Sequence, residues 1–522
     1  MSEAWHIPTK IAPKVTSPER LEVIYRRLTG FPLAGIPASA QAFEACNPSI
    51  DLGNNTAVRS FLEEALERMD LSEATELRNN LENEHSDLVA IARVIHKQIA
   101  YKIDDEFIAA CYRRIFDLGL RPMIEALSQI VNDPARQAGK AGTVIFVCRK
   151  GYNVIQREAK HLRKQGYRCF LISLAQVSSD FRSAHADCFE EICDGITSYV
   201  ALGLVIEALE ADIFHVQCHM WEYILARFVI ERKRTAKVIC EFYDITSIYS
   251  DRENLACAFW PEIVDLDLAM ERYIFQQADG VVHRFPRRVI DKLESRYKTK
   301  PPSLEQHLYA SLEFTRHETH KLSDTDGKLR LVYIGGLVPR LEHAVPEMYP
   351  EWGHLEAWED LLNQGFVVDV LCSPFRPPEG PGFAPYQELA ARCPEFRLKS
   401  GVPSDELAEA ICRYDFGLIL ANMDLSRSAC TPDLFDGAVG TKLFAYFEAG
   451  LPVLVNSEYA YMTEITESHG LGLSMRSDEI RTSGDRIREF DRIGSAKRIR
   501  RFNETNSMDQ RIHHLIDLYN SC

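Results

Sequence analysis

From residue 143 onward, short apolar runs alternate with longer segments of helical periodicity, the order that builds parallel sheets joined by crossover helices. Residues 143–148 read as a strand, followed by a turn at Gly151, a helix with Ile155, Ala159 and Leu162 on one face, and a second strand at 169–174. That is one βαβ unit. Further strands are expected at 213–216, 237–242 and 280–283. After the polar stretch 323–328 the plan starts again, with strands expected at 329–334, 367–372, 396–399, 416–420 and 452–455.

At 522 residues the chain is too long for one core, since domains run on the order of 100 to 200 residues. The texture divides it into a helical extension at 1–140, a first lobe at 141–322, a second at 323–475, and helices at 476–522 that pack back across both. In the extension, Phe61, Ala65, Leu66 and Met69 recur at helical spacing, while Pro8, Pro13, Pro18, Pro32, Pro37 and Pro48 mark irregular chain before them.

A content of 46% hydrophobic and 26% charged residues is that of an ordinary globular protein. The apolar stretch at 199–206 stops at Glu207, short of the roughly 20 residues a membrane-spanning helix needs. Fourteen scattered cysteines without a CxxC pair read as buried free thiols, so the reducing cytoplasm is the expected compartment. A formal charge of -16 argues against a nucleic-acid partner. Between residues 149 and 168 seven lysines and arginines face one acidic residue, Glu158; this run reads as a solvated helix or as a peripheral contact with the inner membrane face.

The segment 440–455, Gly-Thr-Lys-Leu-Phe-Ala-Tyr-Phe-Glu-Ala-Gly-Leu-Pro-Val-Leu-Val, combines a glycine entry, a short helix, a turn and a buried strand. Thr441 and Lys442 then open a helix, where backbone N–H groups, the helix dipole and an ammonium suit a diphosphate. In the first lobe, Lys150 and Gly151 follow the first strand, at the edge where open α/β sheets bind ligands. His219 and Asp244 lie just past two further strands, with His215 a weaker candidate inside one of them. Imidazole and carboxylate there suit charge stabilisation and hydrogen bonding at a reaction centre. Asp265-Leu266-Asp267 has the spacing of a metal-binding DxD but sits in a helical stretch, and reads as a solvated face. His317 and His320 lack partners at metal-ligand spacing, and no metal is expected.

Segment 440–455 resembles the donor-site signature of the retaining GT-B glycosyltransferase family that uses nucleotide sugars, the glycosyl transferases group 1 type. Leu331-Val332-Tyr333-Ile334-Gly335-Gly336-Leu337 resembles that family's first donor-lobe strand and glycine loop. Glu271-Arg272-Tyr273 through Ala278-Asp279-Gly280-Val281-Val282, and the stretch from Asp212 through His219 to Trp221, resemble its acceptor lobe in the same order. The chain departs from the pattern where Gly336 replaces an arginine, which shifts the phosphate cation to Arg340, and where Ala445 replaces the ribose-gripping glutamate, with Glu448 one turn later.

The resemblance implies an α/β GT-B architecture: two Rossmann-like parallel-sheet lobes facing a cleft, plus the helical extension. It implies retaining, metal-independent sugar transfer from a nucleotide-diphosphate sugar, with no other cofactor. Gly335, Gly336, Arg340, Thr441, Lys442 and Glu448 would bind the donor, Lys150 and Gly151 would form an acceptor or phosphate loop, and His219 and Asp244 would act in catalysis. The acceptor would be a glycan, a lipid-linked sugar or a protein, and the extension a docking module for a protein partner. Ala445 and Gly336 also suit a different class, a non-catalytic sugar-nucleotide-binding scaffold of the same fold.

Overall fold

The computed structural model describes residues 121–522 apart from 150–152, 175–176, 178–181, 183–185, 195–198, 221, 259–260, 338–352, 374–377 and 379–380. Most of the expected extension, the Lys150–Gly151 loop, Trp221 and Arg340 thus lie outside the described residues.

The first sheet holds β1 (Gly142–Cys148), β2 (Tyr167–Ser173), β3 (Glu191–Cys193), β4 (Ile213–Cys218), β5 (Lys237–Phe242), β6 (Gly280–His283) and β7 (Ser303–Glu305). The second holds β8 (Arg330–Gly335), β9 (Val367–Cys372), β10 (Phe396–Ser400), β11 (Phe416–Ile419), β12 (Val453–Asn456) and β13 (Gly472–Met475). Their orders are β3-β2-β1-β4-β5-β6-β7 and β10-β9-β8-β11-β12-β13, and every pairing is parallel. Central strands such as β4 are buried along their whole length. Helices cover both faces of such a sheet, so its strands read as continuous apolar runs rather than as alternation.

Seven helices matter for the site: α1 (Arg121–Val131), α2 (Asn153–Lys164), α3 (Arg287–Tyr297), α4 (Thr441–Glu448), α5 (Ala460–Ser468), α6 (Arg492–Asn506) and α7 (Met508–Ser521). The expected face of α2, with Ile155, Ala159 and Leu162, is buried against the first sheet. Helix α1 shares the first lobe's core through Ile124, Leu127 and Val131. The buried Arg168 of β2 ties it down by donating to the carbonyls of Ile130 at 2.8 Å and Val131 at 3.0 Å.

The end of the chain joins the lobes. Helix α6 lies on the second, where Asn503 Nδ2 donates to the Phe447 carbonyl at 2.7 Å. A break at Ser507 follows, and the Met508 N–H donates to the Ala310 carbonyl at 2.9 Å. Helix α7 then lays Ile512, Leu515, Leu518 and Tyr519 on the first sheet, the one-sided stripe expected of an amphipathic helix.

Two surface expectations change. The basic run at 149–168 turns inward: Arg157 and Arg168 are buried, Lys160 pairs with Asp187 and Glu313, and Arg163 donates to the Asp187 carbonyl. The Asp265–Asp267 pair is only half solvated, because Asp267 is buried and accepts from Thr246 Oγ1 at 2.5 Å. Every cysteine among the described residues is a free thiol. Burial raises the Cys148 thiol to about 12, so it stays protonated and inert.

Candidate functional site

In the second lobe, β8 ends on Gly335, whose φ of 107° lies in the region that glycine adopts without strain. A Cβ at this position would stand 3.2 Å from Lys442 Cε, so the glycine lets the lysine stem pass close over the turn. Lys442 Nζ lies 4.6 Å from the centroid of the Tyr333 ring, a cation–π distance. Tyr333 in turn donates its hydroxyl to the Gly336 carbonyl at 2.8 Å. The glycine loop and the start of α4 are therefore held as one surface. Thr441 and Lys442 form the first turn of α4, and Gly440 before them supplies no side-chain cap.

What aims α4 at the loop is Tyr446. Its buried hydroxyl accepts from the Ile334 N–H at 3.1 Å and donates to the Leu418 carbonyl at 3.0 Å, bridging β8 and β11. Gly417 makes room for it, since a Cβ there would come within 2.2 Å of the Tyr446 ring.

In the first lobe, His219 follows β4 and Asp244 follows β5, and these two strands pair directly. Both residues are half-buried at the same C-terminal edge. The His219 ring stacks on Tyr243 with centroids 5.6 Å apart, and Tyr243 also lies under the Arg284 guanidinium at 4.0 Å. The Asp244 carbonyl accepts from the Tyr223 hydroxyl at 2.5 Å, which fixes the turn after β5. His215, by contrast, is fully buried: its ring stacks on Phe146 and its Nδ1 lies 2.6 Å from the Tyr519 hydroxyl. It does not reach the edge where His219 stands.

The two edges meet across a junction made by the segments that follow β5 and β11. Ser250 and Cys430 form an isolated antiparallel bridge, and the Thr431 N–H donates to the Tyr249 carbonyl at 3.1 Å. Arg288 of α3 reaches Asp436 at 3.0 Å and Glu464 of α5 at 3.1 Å.

Glu448 is placed differently from its expected role. Its carboxylate is buried and accepts from both Nη atoms of Arg157, with Nη2 at 3.0 Å, and from the Ser311 N–H at 2.8 Å. Burial disfavours the Arg157 charge, but the adjoining carboxylate outweighs it and raises the guanidinium pKa. With both oxygens taken by the first lobe and the connecting segment, Glu448 is a tie between lobes rather than a group facing a ribose. Sequence reading missed its partner because Arg157 looked like one more charge on a basic helix.

No protein-family model matches the sequence, and no curated protein matches it. Among solved structures, the chain is similar to Anabaena HepE, solved in complex with UDP-glucose, at 8% identity and a TM-score of 0.51, over 72% of this chain and 99% of that one. It is also similar to TarM, at 7% identity and a TM-score of 0.51, over 73% of this chain and 99% of the other. At such identities the likeness is one of fold. The chain has the GT-B fold, two Rossmann-like parallel-sheet lobes facing a cleft.

Proposed function

We propose that the protein is a glycosyltransferase that moves a sugar from a nucleotide-diphosphate sugar to an acceptor held by the first lobe. The observation that carries this reading is the packing of Lys442, at the opening of α4, against the left-handed glycine Gly335. A diphosphate lying there meets helix N–H groups and an ammonium, and both gain strength as negative charge develops on the leaving group. Gly336 and Thr441 border the same surface, and Arg340 follows the same loop in sequence. On the acceptor side, His219 and Asp244 supply an imidazole and a carboxylate for the oxocarbenium-like sugar and the incoming hydroxyl. Lys150 and Gly151 follow β1 in sequence and are proposed as the acceptor or phosphate loop.

The proposed outcome is retention without a metal in the transfer step, in the cytoplasm or at the inner membrane face as a peripheral contact. The acceptor is a glycan, a lipid-linked sugar or a protein, with residues 1–140 as a docking module. The similarity to Anabaena HepE, whose structure contains UDP-glucose, supports the donor class.

A panel of nucleotide sugars tests the proposal by thermal shift. Selective stabilisation followed by sugar release or transfer supports it, and no stabilisation by any nucleotide diphosphate removes it. One observation favours a second reading, a sugar-nucleotide-binding scaffold: with Ala445 at the clamp position and Glu448 bound by Arg157, that helix presents no carboxylate for a ribose. Tight donor binding with no turnover on any acceptor class would select the scaffold.

A further inference from the structure

Below the first sheet, on the face covered by α2 and α7, a group of polar side chains is enclosed near the C-terminal ends of β4 and β5. Glu158 comes from α2, His215 and Gln217 from β4, and Glu241 from β5, where it is the register partner of Gln217. Glu158, His215 and Glu241 are 0% exposed and Gln217 is 2% exposed. Neither oxygen of Glu158 or Glu241, nor His215 Nε2, nor either amide atom of Gln217, has a hydrogen-bond partner among the described residues. Buried polar groups are almost always paired, so this many orphans at one point calls for a ligand.

The spacing says which kind. His215 Nε2 is 3.5 Å from Glu241 Oε2 and 3.9 Å from Glu158 Oε2, and one donor atom from each of the three residues lies within 4.8 Å of the others. Those gaps are too long for direct hydrogen bonds, which close to about 2.7–3.2 Å. Two adjacent donors bound to one ion at about 2.0–2.2 Å stand roughly 2.8–3.6 Å apart in octahedral or tetrahedral geometry, so small side-chain rotations bring all three onto a cation. Charge points the same way: Arg284, with Nη2 3.8 Å from Glu241 Oε1, is one guanidinium beside two carboxylates. A shared proton would answer that charge, but it would draw its donor and acceptor to hydrogen-bond distance. The other imidazole nitrogen is already engaged, since His215 Nδ1 lies 2.6 Å from the Tyr519 hydroxyl. That contact leaves Nε2 as the ligand and fixes the ring, the outer-shell arrangement typical of metal-binding histidines.

We propose that Glu158, His215 and Glu241 bind a divalent first-row cation, with Gln217 beside it to complete the coordination directly or through water. An imidazole and two carboxylates with no thiolate suit Zn2+ or Mn2+. Such an ion would be structural. It would join α2, β4 and β5 and, through Tyr519, hold α7 on the first lobe.

The test uses the full chain, expressed and purified with Zn2+ and dialysed, with metal content read by mass spectrometry and Tm read with and without chelator. About one equivalent per chain is expected, with a Tm that falls on chelation and recovers with Zn2+ alone. His215→Gln and Glu158→Gln, the second a near-isosteric change chosen in case the first does not fold, should both lose the bound metal. Tyr519→Phe, which removes only the outer partner, should weaken Zn2+ binding by about tenfold or more. Substitution with Co2+ should give visible absorption in the parent and none in Glu158→Gln. A parent that holds neither Zn2+ nor Mn2+ would overturn the assignment. So would variants that keep the full equivalent, because the ion would then sit elsewhere on the surface.

Discussion

Arg157 of the first lobe and Glu448 of the second form a two-pronged, buried ion pair at the lobe junction, with side chains 9% and 3% exposed. Removing one member of such a pair leaves the other charged, desolvated and unmatched, which costs about 3–5 kcal/mol. Glu448→Ala and Arg157→Met are each expected to lower the urea unfolding midpoint strongly. The double variant Arg157→Met/Glu448→Leu should lie closer to the parent than either single change. If the two single losses simply added in the double variant, the pair would not be acting as a unit.

Lys442 carries the donor-site reading. Loss of a charged hydrogen-bond partner costs roughly 1.5–3 kcal/mol, so Lys442→Ala should weaken nucleotide-diphosphate binding by about ten- to a hundredfold in a folded protein. The lost interaction is electrostatic, so the parent's affinity should fall more steeply with salt than the variant's. Calorimetry at two salt concentrations measures both effects. Unchanged affinity in the folded variant would leave the fold without a donor site at this helix.

The long central strands were legible because a run buried on both faces carries its own signal; β5, β6 and β9 start and stop where the apolar runs at 237–242, 280–283 and 367–372 do. The edge strands β3, β7 and β13 were not. Residues 191–193 and 303–305 are short and incompletely buried, and nothing in their composition separates them from loop. Sequence also separated Gly335 from Lys442 by a hundred residues yet led to both, since each sits at a turn whose backbone demands are local. It could not show Glu448 facing Arg157, or Glu158, His215 and Glu241 converging, because those contacts are made by three-dimensional packing between distant elements. Helix α1 gives the same lesson at a boundary: its own periodicity is helical like the extension's, while its partners Arg168 and the first-lobe core lie beyond the expected boundary at residue 140.

His219→Ala tests the acceptor-side edge. The ring stands past β4, stacked on Tyr243. Its removal is expected to lower kcat by about a hundredfold, the lower end of the range for a positioned acid–base group, while donor affinity changes by less than about threefold. Equal turnover of variant and parent on the same donor would dismiss the assignment.

Acid sensitivity should come from the junction beside β6 and β7. Burial pushes the His283 imidazole down from 6.5 to about 4, against the opposing pull of the Glu305 carboxylate and with help from His307 and Arg287. His307 is lowered as well, again mainly by burial, although its Nε2 lies 2.9 Å from Glu305. Glu305 also accepts from the Tyr461 hydroxyl of α5, so this cluster spans both lobes. Between pH 6.5 and 4 the unfolded chain takes up a proton that folded His283 refuses. The stability linked to this residue is therefore fully present above pH 6.5 and lost as the pH falls to about 4, a change on the order of 3 kcal/mol. The Phe285 N–H donates to His283 Nδ1 at 3.4 Å, and an asparagine oxygen can take over that acceptor role without titrating. Urea unfolding of the parent and His283→Asn at pH 7.5, 6, 5 and 4 should show the parent losing more stability over this range. Parallel curves would mean that the acid sensitivity belongs to other groups.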